Sequence, residues 1–335
     1  MTHDIRRRAA SVFRGAVVPP AVAFSLVALF LAAGCGDDDD GSGDSGDSGD
    51  PGDSGDDGAD GDAAPAPDGS TSRATGYVAN PVGSIELVEG YVGERGTGAA
   101  ALLRNAPDAP PAELLASEGP CEVWTHALEP AECDPPCELA YCVADDQCAP
   151  FPLPVSAGEI AVAGLTEELR FVPGGLGYDV DPELLPEDLF ADGAAIEVTA
   201  AGDAVPGFSL AAVGVGPLDA DLDLEFDVTL VIEDGVDEVI GWTAGGVAGT
   251  RVQLALQVGH HGAPYEALLV CEADDADGEL VVPGSLIQRF PRQSNGLEQH
   301  ASWIARFSRD VADGADGPIE LMVASRTIIP QLDHR

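Results

Sequence analysis

Lysine is missing. All fifteen basic residues are arginine, set against 59 acids, for a formal net charge of −44. Histidine is scarce at six, and aromatic residues make up 5 % of the chain. Without clustered cations the chain cannot grip phosphate backbones, and this excludes nucleic acid and a bare anionic membrane surface as partners. Neither H-E-x-x-H nor G-x-S-x-G occurs, so two local signatures of hydrolytic sites are lacking. Long apolar runs are lacking as well. Ala21–Ala33 holds thirteen residues, short of the ~20 that cross a bilayer core as a helix.

That run has a different use. Arg6, Arg7, Arg8 and Arg14 precede it, and Pro19-Pro20 block its extension backwards. A basic segment followed by a short apolar one is the layout of a secretory signal. Its end, Leu31-Ala32-Ala33-Gly34-Cys35, resembles the lipobox of bacterial lipoproteins, with the branched residue one step earlier than usual. The resemblance implies cleavage after Gly34, so that 1–34 is the signal peptide, and a diacylglycerol thioether on Cys35. Two or three acyl chains at ~0.8 kcal/mol per buried methylene anchor stably where one would not. Gly36 rather than an aspartate follows Cys35, which favours the outer membrane or cell surface over the inner membrane. The Arg7-Arg8 pair has no matching downstream pattern for twin-arginine export.

Residues 35–76 are the lipidated cysteine and an acidic tether, containing "GSGDSGDSGDPGDSGDDGADGD". Gly, Ser, Asp and Pro cannot bury enough apolar surface to offset chain ordering, so disorder is expected. Forty-one such residues would span roughly 35 Å as a coil, with a ceiling of ~140 Å. Anionic headgroups would repel them, so the tether holds the folded part off the membrane. A calcium-binding β-roll would need an apolar residue inside each turn, and this tract has none.

One acid precedes Cys35 and thirteen lie in the tether, against four and one arginines, so the remainder carries 45 acids and ten arginines, near −35. Such a surface suits high salt, divalent cations or a cationic partner. "DDADGE" at Asp274–Glu279 and "DVADGADG" at Asp310–Gly317 lack the D-x-D-x-D-G order of a calcium loop and read as hairpin turns. No cofactor is expected; calcium is the one weighed against that.

Six cysteines follow Cys35: Cys121, Cys133, Cys137, Cys142 and Cys148 in a cluster, and Cys271 far downstream. An even count in an exported chain reads as disulfides. Six allow fifteen pairings, but five cannot pair among themselves, so Cys271 must bond one of the cluster. Cys121–Cys271, joining two apparent strands, is favoured, with the other four as a local knot. A zinc site is the rival for C-x3-C-x4-C-x5-C; export favours oxidation instead, and no histidine is interleaved.

From Ile85 onward short alternating runs are cut by Gly, Pro and Asp-Gly, the signature of strands and turns. The clearest is Asp221–Glu233, with Leu222, Leu224, Phe226, Val228, Leu230 and Ile232 on one face. Arg251–Val258, Ser302–Phe307 (through Trp303, Ala305 and Phe307) and Ile319–Val323 alternate likewise. Earlier runs are Gly158–Leu165, Leu169–Val172 and Ala194–Ala200. Helix is expected only at Pro182–Phe190 and Ser285–Phe290. The fold class is all-β, an antiparallel sandwich or sandwiches, immunoglobulin-like in the C-terminal half, with a small disulfide-rich insertion. Residues 77–216 are expected to form one sandwich containing the cysteine-rich segment 121–148, and 217–335 a second. The alternative is one larger sandwich with the knot as an insertion.

The acidic tether, "CDPPC…YC…C", "VSAGEIAVAGL" and "CEADDADGELVVP" together resemble a group of uncharacterised Gram-negative cell-envelope lipoproteins. That resemblance covers most of the chain and implies an envelope location but no activity. Among the histidines, His126, His260, His261, His300 and His334 lie beyond the signal, and only "GHHGAP" concentrates two. The expected function is a non-enzymatic binding or structural module, anchored to the membrane through lipid, with a protein or glycan partner. The alternative is a secreted hydrolase using carboxylates or the His260–His261 loop.

Overall fold

The computed structural model describes residues 75–335 apart from 91–95, 109–110, 127–132, 139, 145, 176, 181–184, 223, 226–228, 260–264 and 293–301. Cys35, the signal and the tether up to 74 lie outside the described residues. In chain order the first strands are β1 (Gly83–Glu89), β2 (Thr97–Leu103), β3 (Ala112–Glu118) and β4 (Cys121–His126). The cysteine hairpin follows as β5 (Ala140–Ala144) and β6 (Gln147–Pro150). Next come β7 (Ile160–Ala163), β8 (Leu169–Gly174), β9 (Gly177–Asp179), β10 (Ala195–Ala200) and β11 (Phe208–Val213). Three short strands, β12 (Ala220–Asp221), β13 (Leu224–Glu225) and β14 (Thr229–Ile232), lead into β15 (Glu238–Trp242). The chain ends with β16 (Arg251–Gly259), β17 (Tyr265–Asp274), β18 (Glu279–Val282), the helix α1 (Gly284–Ile287), β19 (Ser302–Asp313), β20 (Pro318–Ile329) and β21 (Gln331–His334).

The fold is all-β and sandwich-like. Its spine is one eight-stranded sheet in the order β2-β1-β20-β19-β16-β17-β4-β3. A five-stranded sheet, β11-β10-β7-β8-β9, packs over one end of it, where Ile85, Leu87, Ile319, Leu321 and Val323 meet Ile160, Phe171, Ile196 and Val198. Two three-stranded sheets, β12-β15-β18 and β13-β14-β21, pack over the other end. There Val252, Leu254, Leu256, Leu269 and Ile304 meet Leu230, Ile232, Ile240, Leu280 and Val282. At ~1.5–3 kcal/mol per buried side chain, these two apolar clusters supply the main drive for collapse.

Several sequence expectations need correction. The split at 216/217 does not separate two sandwiches: β1 pairs with β20 and β4 with β17, so both halves build the same sheet. The described residues accordingly belong to one compact unit. What changes near Gly214–Asp219 is the covering layer, from the five-stranded sheet to the pair of smaller ones. The pairing is mostly antiparallel, but β1–β20 and β14–β21 are parallel. The long strand over Asp221–Glu233 is instead three pieces, and the chain reverses between β13 and β14, with Leu224 opposite Leu230. Alternation marks a half-buried extended chain but not where it folds back on itself. Residues 185–190 form no helix, whereas α1 begins one residue before the expected Ser285. The Asp274–Glu279 turn is a corner, not a hairpin, because β17 and β18 belong to different sheets. Gly278, at φ 72°, takes the left-handed conformation that this corner requires.

The two apolar clusters are separated by a polar row on β19. Arg306, Ser308 and Asp310 point into the sandwich rather than out. Ser308 exchanges hydrogen bonds with the backbone of Val213, and Asp310 accepts from the Ala211 N–H. Arg306, 3 % exposed, pairs with the buried Asp275 at 3.0 Å. Its guanidinium also donates to the carbonyls of Gly216, Pro217 and Thr243. A Cβ on Gly245 would come within 2.8 Å of the Arg306 Nε, so only glycine lets the chain pass. Arg306 thus ties the crossing segment at 216–217 to the sheet that both clusters share.

Candidate functional site

All six described cysteines are oxidised. Cys121 bonds Cys271, Cys133 bonds Cys142, and Cys137 bonds Cys148. The first bridge lies in the core, with both residues fully buried where β4 pairs with β17. It closes a separation of 150 residues, worth ~4–5 kcal/mol in the chain-entropy model. The other two staple a small knuckle over residues 133–153.

The knuckle is built on the β5–β6 hairpin, whose register places Cys142 opposite Cys148. Cys133 and Cys137 reach it from the preceding loop, which contains a cis Asp134–Pro135 peptide. Asp146, at φ 57°, turns the hairpin and accepts the Asp134 N–H at 2.9 Å. On the exit side Asn105 clamps the chain twice: its Oδ1 accepts the Leu153 N–H at 2.8 Å, and its own N–H donates to the Leu153 carbonyl at 3.1 Å. The Asn105 clamp thus ties the exit of the knuckle to the end of β2 independently of the bridges.

Its surface is unusual for so acidic a chain. Tyr141 and Phe151 meet edge to face, centroids 4.2 Å apart. Phe151 is 41 % exposed, Leu153 59 % and Val143 38 %. Asp134, Glu138 and Asp146 of the same segment are exposed as well. Aromatic anchors on a rigid frame lose little entropy on binding, which is why they dominate contact energetics. Sequence reading missed Tyr141, Phe151, Leu153 and Asn105. The run "CAPFPLP" carried a signal, since apolar residues held among prolines cannot join a sheet interior.

The face of the large sheet opposite the two apolar clusters carries a second constellation. Glu272, 1 % exposed, accepts from the Gly76 N–H, Gln253 and Arg309, and pairs with Arg251 at 3.1 Å. Arg309 also pairs with Glu320, and Arg326 with Glu86 at 3.6 Å. Arg309 lies over Phe307 and Arg326 over Trp303, at 4.7 and 4.4 Å from the ring centroids. Buried Glu122 accepts from Thr75 and the Trp124 indole. Burial pushes the Glu320 carboxyl above the usual carboxylate range; Arg309 opposes this, while Glu86 and Glu272 add to it. These carboxylates and guanidinia neutralise one another, so three of the chain's few arginines serve as internal counter-ions.

The remaining candidates are dispersed. Asp275, in the expected calcium-like turn, has its carboxylate taken by Arg306, Thr250 and the Gly245 N–H. The 310–317 stretch is the tip of the β19–β20 hairpin. His260, His261 and His300 lie outside the described residues. His126 is buried at the end of β4. His334 bonds Asp234 at 2.9 Å, and Asp234 also meets Arg292. Burial acts to raise the Asp234 pKa, but the hydrogen bonds from His334 and Arg292 prevail and hold it below the usual range. A concavity of ≈ 110 Å³ lies beside Arg104 and Asp108, smaller than the ~300 Å³ or more of ordinary ligand pockets. Comparison with protein-family models, with curated proteins and with solved structures finds no match to this chain.

Proposed function

We propose that the chain is an exported lipoprotein, anchored through Cys35 at the outer membrane or cell surface, which works as a non-enzymatic binding module. The contact surface is the knuckle, and the partner is a basic protein segment with apolar side chains. The observation that carries this reading is exposed Phe151, packed edge to face on half-buried Tyr141, together with exposed Val143 and Leu153 and the exposed carboxylates of the same doubly stapled segment. A fold near −35 attracts cationic chains from a distance, and the apolar patch selects among them at contact. The lipobox-like sequence and the acidic tether support the envelope location.

Two measurements test it. Intact mass of the membrane-extracted protein should show loss of residues 1–34 and acylation at Cys35; an uncleaved chain with a free Cys35 thiol refutes the anchor. A Lys/Leu amphipathic model peptide should bind the wild type, and Phe151→Ser with Leu153→Ser should weaken it at least tenfold. Equal binding by the variant, with loss in salt for both, would mean that bulk charge alone attracts the peptide, and the knuckle would not be the contact surface.

A further inference from the structure

The two knuckle disulfides are not independent neighbours. The sulfur atoms of Cys133, Cys137 and Cys148, drawn from both bridges, all lie within 4.8 Å of one another. Cys142 is bonded to Cys133 at 2.05 Å, so the fourth sulfur lies beside this group of three. A zinc tetrathiolate with ~2.3 Å bonds has sulfur–sulfur edges of about 3.8 Å. The backbone that carries the four is held by the β5–β6 ladder, the Asp134–Asp146 bond and the Asn105 clamp, none of which needs a disulfide. Asp134 and Asp146 add negative charge beside it. Cys148 is exposed and Cys133 and Cys137 half-buried, whereas Cys121 and Cys271 are fully buried. A reductant therefore reaches the knuckle first.

We propose that the knuckle has a second state: with both of its disulfides reduced, Cys133, Cys137, Cys142 and Cys148 form a tetrathiolate site for one borderline or soft divalent cation, zinc or cadmium. The step balances with a dithiol as reductant. Two dithiols each supply two electrons and close to cyclic disulfides, the two protein disulfides open to four thiolates, and four protons are released as the cation binds. The inference stands apart from the binding role proposed above, since it concerns the sulfur cluster and not the apolar patch.

The test uses the full chain under mild dithiol. Thiol titration follows the opening of the knuckle, near-ultraviolet circular dichroism follows the fold, and cadmium is the probe. The expected result is four titratable thiols besides any at Cys35, an unchanged aromatic spectrum, and a thiolate-to-cadmium charge-transfer band that saturates at one ion per chain. Cys148→Ser should lose most of the band, and Phe151→Ser should keep it. Four thiols without a saturating band, or a band untouched by Cys148→Ser, overturns the proposal. So does a chain that loses its aromatic spectrum on reduction and does not regain it with cadmium, because the site is argued to be preorganised.

Discussion

Replacing Arg306 by methionine probes the joint between the two apolar clusters. The variant keeps the length and apolar stem of the side chain and removes only the guanidinium. Asp275 then keeps the Gly245 N–H at 2.8 Å and the Thr250 hydroxyl at 3.2 Å but loses its counter-ion. The carbonyls of Gly216, Pro217 and Thr243 lose the donors that Arg306 provides. Leaving a buried charge without its partner costs about 3–5 kcal/mol, a large share of the ~5–15 kcal/mol that stabilises a typical domain. Asp275→Asn should cost a similar amount, by stranding Arg306 instead. The double variant should be less destabilised than the two losses combined, because no lone charge remains. It should not return to wild type, since the three carbonyls lose the donors that Arg306 gave them. Urea unfolding at neutral pH, with the disulfides intact, measures all three. A loss under ~1 kcal/mol for Arg306→Met, with an unchanged slope, would refute the reasoning, as would strict additivity in the cycle.

Two further outcomes follow from the same structure. Removing the Cys121–Cys271 bridge by a double alanine change should lower global stability by up to ~4–5 kcal/mol. Removing Cys133–Cys142 should leave the urea midpoint nearly unchanged, because that bridge lies outside the core; a reversed order would contradict the placement of the first bridge in the core. Glu320 has its folded pKa raised above the unfolded value. Its contribution therefore favours folding at pH below the ordinary carboxylate range and is lost as pH rises through the raised pKa. Glu320→Gln should thus hold or raise the urea midpoint at pH 7, with the difference shrinking towards pH 4; a variant weaker at pH 7 than at pH 4 would show that the Arg309 pairing outweighs burial.

Much of the local chemistry was legible along the chain. Period-two alternation placed Arg251–Val258 and Ile319–Val323 as strands with the correct faces inward, because side-chain direction in an extended chain is a local property. Parity alone required Cys271 to reach into the cysteine cluster, and the structure joins it to Cys121. Net charge was legible as well, since it needs no fold. Other features depended on contacts between distant residues. Trp303, Ala305 and Phe307 were read as the inward set of β19, yet they lie on the outer face of the large sheet, beside Arg309 and Arg326, and it is Ile304, Arg306 and Ser308 that point into the sandwich. The carbonyls that make burial of Arg306 tolerable come from residues about 60 to 90 positions away. The same holds for the sheet itself: β20 pairs with β1 across the whole described chain, and no periodicity records which edge a strand will meet. Alternation, charge and cysteine parity are properties of neighbours in sequence, so they could be read directly. The shared sheet, the buried ion pair and the gathering of four sulfurs arise from long-range closure, and only the folded chain decides those.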